Sequence, residues 1–261
     1  MTVIQTDEWL LDSWDDPLQL CEKLKPYFTK ASADDIYHHL MMHGMYDSLA
    51  DGEKFIKHMQ KQQLWNIVQK ESQSLIKLWN GPKVPIFIFP SDVYNRKLQR
   101  QFNGHAGLAF NDKLFLFVSN SISNNEIKAL LTHEYNHICR LTKHRKKERD
   151  YVLLDTIILE GLAECAVLEH LGEEYIAKWT SYYDEDQLEN LWQRLIFPTR
   201  NIPINHQKHH DLLYGLQFYP SMVGYCVGYY VVKKFLHENN MTTKDALTLP
   251  SHTIANLEEE E

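Results

Sequence analysis

The stretch that decides the fold is Leu130-Leu131-Thr132-His133-Glu134-Tyr135-Asn136-His137-Ile138-Cys139-Arg140. It carries the pattern H-E-x-x-H inside an apolar run that is compatible with a helix. On a helix His133 and His137 point from the same face one turn apart, so their nitrogens can bind one zinc ion at about 2.0–2.1 Å. Glu134 is rotated by about 100° from His133, where it can reach a water held on the metal. The pattern therefore predicts a zinc site with a carboxylate general base.

A chance match on an ordinary amphipathic helix is the alternative, because the chain contains 14 histidines. The surrounding residues favour a buried metal helix instead. Ser123 or Asn124 can cap the helix, with Glu126 in its first turn. The residues that flank the motif are apolar: Leu130, Leu131, Ile138 and Leu141. Cys139 lies about 200° around the helix from His137, so we expect it to be a buried thiol and not a ligand.

Composition limits the class of protein. A net charge of −8 over 261 residues argues against nucleic acid as the main partner. The four cysteines form no C-x-x-C motif, which predicts reduced thiols and a cytoplasmic location. The first residues contain no basic and apolar segments typical of a secretory signal, and no apolar run is long enough to span a membrane. We therefore expect no membrane partner.

Hydrophobic periodicity predicts a helical region over residues 1–80, either separate or part of the same domain as the rest. Asp51-Gly52 precedes a long helix to about Asn80. Gly81-Pro82 is the best boundary, because the pattern then changes to strands. Val84–Phe89 is a predicted buried strand.

Two further strands, Gly104–Phe110 and Lys113–Val118, are predicted around a turn at Asn111-Asp112. Residues 82–256 are predicted to form the catalytic domain, followed by an acidic tail over 257–261. The basic cluster Lys143–Arg149 is interpreted as a solvated connection after the motif helix.

A strongly apolar helix is predicted from about Tyr151 to Leu171, with Glu160 and Glu164 on one face. Buried carboxylates are costly unless they are paired or bind a metal. The two acids could therefore hydrogen-bond a tyrosine or arginine, or they could supply a metal ligand. The motif helix immediately before them favours ligation.

The last long helix carries Gly224 and Gly228 one turn apart, and small residues at this spacing let another helix approach closely. Tyr225 and Tyr229 follow the same spacing. Such an aromatic pair usually belongs to the core, but a tyrosine hydroxyl near a metal would also suit oxyanion stabilisation.

The order of these features resembles a known class. H-E-x-x-H followed, after a connection, by a glutamate on a second helix resembles the gluzincin branch of zinc metallopeptidases. Leu159-Glu160-Gly161-Leu162-Ala163 is similar to the N-E-G-F-A segment of zinc aminopeptidases. The stretch from about Gly104 to Leu236 resembles the YjaZ-like family of predicted bacterial Zn-dependent proteases.

The resemblance implies an α+β, mostly helical, zincin-like fold with a small sheet packed on the motif helix. It implies that His133, His137 and Glu160 hold one catalytic Zn²⁺ whose fourth position is open to water. Glu134 would take a proton from that water and deliver it to the leaving amine. Glu164 would hydrogen-bond the far nitrogen of His133 and fix the orientation of its ring.

The resemblance also implies how a peptide or protein substrate binds. Gly107-Leu108-Ala109-Phe110 resembles the zincin edge strand, which binds extended substrate through main-chain hydrogen bonds. No acidic residue on this stretch could hold a free amine, so an endopeptidase is favoured over an aminopeptidase. Tyr225 is the predicted oxyanion stabiliser, with Tyr229 and His210 left open.

Two other functions stay in competition. The chain could bind zinc as a non-proteolytic regulatory or binding protein, although a purely structural zinc does not need Glu134. It could also be an all-helical interaction protein with a chance motif, which a stoichiometric zinc would exclude.

Overall fold

The structure is a computed structural model that describes residues 3–144 and 146–257, without the side chain of Glu148. Arg145 of the basic cluster and the four glutamates of the predicted tail lie outside the described residues. The chain divides into two compact units, Met1–Ile138 and Cys139–Glu261. The predicted boundary at Gly81-Pro82 stays a prediction.

The first unit combines helices with the small sheet, and the predicted α+β, mostly helical class is confirmed. Its helices are α1 Thr6–Ser13, α2 Pro17–Leu24, α3 Ala33–Met42, α4 Gly52–Lys61, α5 Leu64–Trp79, α6 Arg96–Gln101 and α7 Asn124–Lys143, the last of which ends in the second unit. Its strands are β1 Ile86–Pro90, β2 Ala106–Ala109 and β3 Leu114–Val118, and a 3₁₀ turn covers Lys25–Tyr27.

The three strands lie in the order β1-β3-β2, so β2 is an edge strand. β1 runs parallel to β3, and every residue of both strands is buried. β2 pairs antiparallel with β3, with Gly107 opposite Leu116, and its four residues are half-buried. The continuous apolar runs of β1 and β3 therefore fill the core, while β2 stands at its margin. The predicted hairpin turn at Asn111-Asp112 is confirmed.

Several predicted boundaries differ from the structure, and β1 covers Ile86–Pro90 where Val84–Phe89 was predicted. The long helix predicted to end near Asn80 is two helices, α4 and α5, because Gln63 has a left-handed backbone with φ of 56° that interrupts the helical ladder. Phe110 lies beyond the end of β2, where the chain begins to reverse. Its N–H still donates to the carbonyl of Lys113 at 2.9 Å.

The middle of α7 is anchored to the segment that enters the sheet. The Tyr135 hydroxyl donates to the carbonyl of Pro82 at 2.8 Å. Its ring stacks on Trp79, with centroids 6.0 Å apart. These contacts fix the orientation of α7 about its own axis. They therefore also fix the directions in which the neighbouring His133 and Glu134 point.

The second unit is formed around one helix pair. Its helices are α8 Leu153–Leu171, α9 Glu185–Leu191, α10 Gln207–Tyr214, α11 Val223–Glu238, α12 Thr243–Ala246 and α13 Ser251–Ile254. A π-helical turn covers Trp192–Ile196, and 3₁₀ turns cover Glu148–Asp150, Glu173–Tyr175, Lys178–Ser181 and Phe197–Thr199.

α8 and α11 approach each other at backbone distance. A Cβ placed on Gly161 would lie 2.3 Å from the carbonyl oxygen of Gly228, and one on Gly228 would lie 2.1 Å from that of Ile157. A Cβ on Gly224 would lie 2.7 Å from Cα of Leu213 in α10. The predicted close approach at the two glycines of α11 is confirmed.

Within residues 3–144 and 146–257, no helix is both long and apolar enough to cross a membrane.

We predict that Gly228→Ala lowers the free energy of unfolding by about 1–3 kcal/mol. The new methyl group would meet the backbone of α8, which cannot rotate away, and this cost outweighs the gain of about 1 kcal/mol in helix propensity. Urea unfolding followed by circular dichroism measures the change. His237→Ala, at an exposed position on the same helix, is the control and should stay within about 0.5 kcal/mol of the parent. A Gly228→Ala variant as stable as the parent would contradict the contact.

Candidate metal centre

The motif helix begins with a reciprocal cap. The Glu126 amide donates to Ser123 Oγ at 3.2 Å, and the Ser123 amide donates to Glu126 Oε2 at 2.8 Å. Ser123 is therefore the capping residue of the two that the sequence left open. The cap defines where α7 starts, which sets the position of the motif two to three turns further along the helix.

His133 and His137 lie on one face of α7, as predicted. Their ring centroids are 4.7 Å apart and the rings are nearly perpendicular, at 88°. His137 is buried and His133 is half-buried. The pair therefore lies at the margin between buried and exposed residues.

Glu160 of α8 completes a group with the two histidines. Each of the three residues offers one ligand atom, and these atoms all lie within 4.8 Å of one another. Two imidazole nitrogens and one carboxylate are the donor set of catalytic zinc sites, and the residues present fit the metal. Cys139 is fully buried and is not part of this group.

Glu134 lies against the edge strand. It is buried, at 7% exposure. A Cβ placed on Gly107 of β2 would lie 2.1 Å from its Cγ and 2.4 Å from its Oε1. The carboxylate therefore occupies the space that any side chain at position 107 would need. The sequence had indicated Gly107 only as a strand residue, and the reason for a glycine there appears only in three dimensions.

Glu164 is buried in α8, at 3% exposure. Its Oε1 accepts a hydrogen bond from the Ala177 amide at 2.5 Å. This contact ties the loop after α8 to the helix. The predicted hydrogen bond from Glu164 to the far nitrogen of His133 stays a prediction.

The oxyanion candidates fall into one aromatic cluster of the second unit. The hydroxyls of Tyr225 and Tyr214 lie 3.5 Å apart, and Tyr214 also contacts the His210 ring at 4.7 Å between centroids. Trp179 contacts the rings of both Tyr225 and Tyr229. Burial raises the pKa of Tyr229, and the nearby Cys165 and Glu164 raise it further. Tyr214 was missed because it lies on α10 whereas Tyr225 lies on α11, and the sequence pattern does not bring the two helices together.

Comparison with known proteins places these residues in a family. The family model described as "Predicted Zn-dependent protease (DUF2268)" matches residues 64–256. That range includes both histidines of the motif, Glu134, Glu160 and the edge strand. No solved structure matches the chain significantly.

Two proteins of Bacillus subtilis (strain 168) are similar to the chain. "Uncharacterized protein YjaZ" is 40% identical over 259 residues, covering 97% of this chain and 98% of that protein. "Uncharacterized protein YjfC" is 22% identical over 184 residues, covering 67% of this chain and 61% of that protein. The similarity to YjaZ extends well beyond the motif helix.

We predict that the purified protein holds one zinc per chain. Glu160→Gln should weaken zinc binding by more than about 100-fold. Loss of a hydrogen-bond partner of a ligand typically lowers metal affinity by roughly 10–100-fold, and loss of the ligand itself should lower it further. Competition with a chelating dye measures the affinity, and elemental analysis measures the content. Glu174→Gln, at an exposed position of the same unit, should bind zinc as the parent does. Equal zinc affinity of Glu160→Gln and the parent would remove Glu160 from the site.

Proposed function

We propose that this chain, which belongs to the family of predicted Zn-dependent proteases, hydrolyses peptide bonds with Glu134 as general base. The observation that carries the proposal is the group of His133, His137 and Glu160, whose ligand atoms lie within 4.8 Å of one another. Glu134 follows the first of these histidines directly in the chain. A carboxylate beside a metal site is needed for hydrolysis and is not needed for structural zinc.

His133, His137 and Glu160 would hold the metal. Zinc in such a site lowers the pKa of a water and polarises the carbonyl of the substrate. The burial of His137 and the half-burial of His133 and Glu160 support a site that is enclosed on one side and open to substrate on the other. We also propose that Glu164 helps to orient His133, because it lies one turn after Glu160 and is buried.

Glu134 would carry the proton of the reaction. Its carboxylate would accept a proton from the attacking water and later deliver it to the leaving amine. Burial against β2 removes its rotational freedom, so the group would be held in position before substrate binds. The close contact with Gly107 supports this role, since it brings the carboxylate to the strand along which a peptide would lie.

The free edge of β2 is the proposed substrate-binding surface. An antiparallel pair leaves every second set of main-chain N–H and C=O groups pointing away from the partner strand. An extended peptide could use these groups on β2 for main-chain hydrogen bonds. Gly107 to Ala109 belong to the strand, and Phe110 would contribute from the turn that follows. The stretch Gly104–Phe110 has no acidic residue to hold a free amine, which favours an endopeptidase.

Tyr225 is the proposed oxyanion stabiliser. Its hydroxyl lies 3.5 Å from that of Tyr214, so that one tyrosine can orient the other. Tyr229 and His210 are the remaining candidates. The fold we propose for the whole arrangement is zincin-like, supported by an edge strand next to the H-E-x-x-H helix. The four cysteines are buried thiols, which supports a cytoplasmic location.

We predict that Glu134→Gln keeps zinc but lowers kcat by about 10²–10⁴-fold, because the amide keeps the shape of the side chain and cannot accept a proton at neutral pH. Cleavage of an unfolded protein and of a peptide library, followed by mass spectrometry, measures the effect together with zinc content. A variant that keeps its zinc and cleaves as fast as the parent would rule out the mechanism. Glu126→Gln, near the start of the same helix, controls for nonspecific loss of a carboxylate, since glutamine can also serve in a reciprocal cap.

We predict that Gly107→Ala lowers kcat/KM by about 100-fold with zinc retained, because the new methyl group displaces the Glu134 carboxylate by about 1 Å. Glu134→Asp shortens the side chain by the methylene that the methyl group would meet. Glu134→Asp should therefore lower kcat/KM by a smaller factor in the Gly107→Ala variant than in the parent. Strictly additive losses in kcat/KM would argue against this contact.

A further inference from the structure

One of the N-terminal helices borders the edge strand, although the family model matches the chain only from residue 64. This helix is α3, which covers Ala33–Met42. A Cβ placed on Gly44, just after α3, would lie 3.0 Å from the Cβ of Ala106 at the start of β2. Within the last turn of α3, the His39 ring lies 5.9 Å from the Phe110 ring, measured between centroids. α3 therefore runs alongside β2 in the opposite direction.

The main chain that follows α3 fixes this placement. Gly44 has φ of 110°, a conformation that favours glycine, and its carbonyl accepts from the Asp92 amide at 2.9 Å. Met45 forms an antiparallel bridge with Ser91. Ser91 Oγ donates at 2.7 Å to the carbonyl of Gly104, in the segment that leads into β2. The end of α3 and the start of β2 are thus tied to the same segment, and their spacing is set before any ligand binds.

A row of four rings extends from the end of α3 to the end of β2. We call it the aromatic wall, and it consists of His43, His39, Phe110 and Phe28. Neighbouring ring centroids along the row are 4.5, 5.9 and 5.7 Å apart. His43 is exposed and the other three residues are half-buried. The wall therefore presents ring surface to solvent.

A buried lysine supports two of these rings. Lys113 Nζ lies 4.4 Å from the centroid of the Phe110 ring and 4.6 Å from that of Phe28. The same ammonium pairs with Asp112 at 2.7 Å. Cation–π contacts of this kind hold the rings in place, and the ion pair offsets the charge. A ligand on the wall would meet ring surface, while the ammonium stays with its carboxylate.

One face of β2 lies on the side of the aromatic wall. Ala106 points toward the end of α3. Successive side chains of a strand point to opposite faces, so Leu108 shares the face of Ala106. Phe115 of β3 pairs with Leu108, and its ring lies 5.9 Å from that of Phe28 between centroids. Because paired residues of an antiparallel sheet share a face, this contact also places Leu108 on the side of the wall.

The opposite face of β2 is formed by small residues. Gly107 and Ala109 belong to it, and the Glu134 carboxylate occupies the space beside Gly107. A peptide bound along β2 would have the proposed general base on one side and the aromatic wall on the other. The first face would serve the reaction, and the second is available to recognise side chains.

The register of β2 indicates which main-chain groups a peptide would use. The Phe110 amide donates to the carbonyl of Lys113 at 2.9 Å, so the main chain of Phe110 faces β3. Hydrogen-bonded and non-hydrogen-bonded pairs alternate along an antiparallel pair. The main-chain groups of Ala109 and Gly107 therefore point to the free edge. An extended peptide bound to them would place every second side chain on the side of the wall.

We propose that the aromatic wall selects extended peptides that carry large apolar side chains two residues apart. The inference rests on the proposed function, in which β2 binds the substrate. The substrate side chain opposite Leu108 would lie on the face of the wall, and a side chain two residues away would lie at the level of Phe110. Apolar residues at this spacing are typical of β-strand segments, so the substrate class is an unfolded segment of that kind.

The test compares two fluorescently labelled peptides of identical composition, one with Leu-Ser-Leu and one with Leu-Leu-Ser in the same Thr/Ser sequence. Fluorescence anisotropy measures their binding to the full-length Glu134→Gln variant at about pH 8, above the ordinary pKa of histidine. We predict that the Leu-Ser-Leu peptide binds about 10-fold more tightly. It places both leucines on the wall, whereas the other peptide places only one there.

Two variants of the wall, made in the Glu134→Gln protein, should reduce this preference to less than about 3-fold. Phe110→Ser removes a ring, and His43→Glu places a carboxylate where an apolar side chain would have to desolvate it. His43 is exposed, so His43→Glu tests the wall even if Phe110→Ser fails to fold. His58→Glu makes the same change at an exposed position near the end of α4 and should keep the full preference.

Cleavage of the two peptides by the parent separates this proposal from the proposed function. Preferential binding of the Leu-Ser-Leu peptide without cleavage of either peptide would support the wall and contradict hydrolysis. Cleavage of both peptides with equal kcat/KM and equal affinity would support hydrolysis and overturn the role of the wall. Binding of neither peptide, or an unchanged preference in the folded wall variants, would also overturn it.

Discussion

The hydrogen-bond ladder of α7 is the constraint on which the candidate metal centre depends. Because the helix is regular through the motif, His133 and His137 have to leave the same face, and Glu134 has to leave a neighbouring one. Anchoring of Tyr135 to Pro82 and Trp79 holds this rotation. The sheet then has to accommodate a carboxylate at a position dictated by the helix, and the bare backbone of Gly107 provides the space.

Much of this arrangement could be predicted from sequence because its signals are local. Residues four apart on a helix meet without any knowledge of tertiary structure, and continuous apolar runs identified β1 and β3 as buried strands. Glu160 was indicated by a carboxylate in an apolar helix, where burial without a partner is costly. Each of these signals lies within a single helix or strand, so the local pattern of residue types was sufficient to predict it.

The features that the sequence did not predict have a different physical origin. The helix break at Gln63 depends on a left-handed backbone that glutamine does not ordinarily favour, so no glycine or proline marked it. The contact between Gly107 and Glu134 joins residues that are far apart in the chain. Such features are properties of packing, and only coordinates reveal them.

The packing of α8 explains how this helix can hold the Glu160 carboxylate in place. Glu160 directly precedes Gly161, whose backbone meets that of Gly228 in α11. Backbone contacts cannot relax through rotamer changes, so α8 has little freedom to slide or rotate at this point. The carboxylate of Glu160 is therefore carried by a constrained part of the helix, as the proposed metal ligand would require. The first turn of α8 is held instead by Asp155, which accepts hydrogen bonds from Lys146 and Ser251.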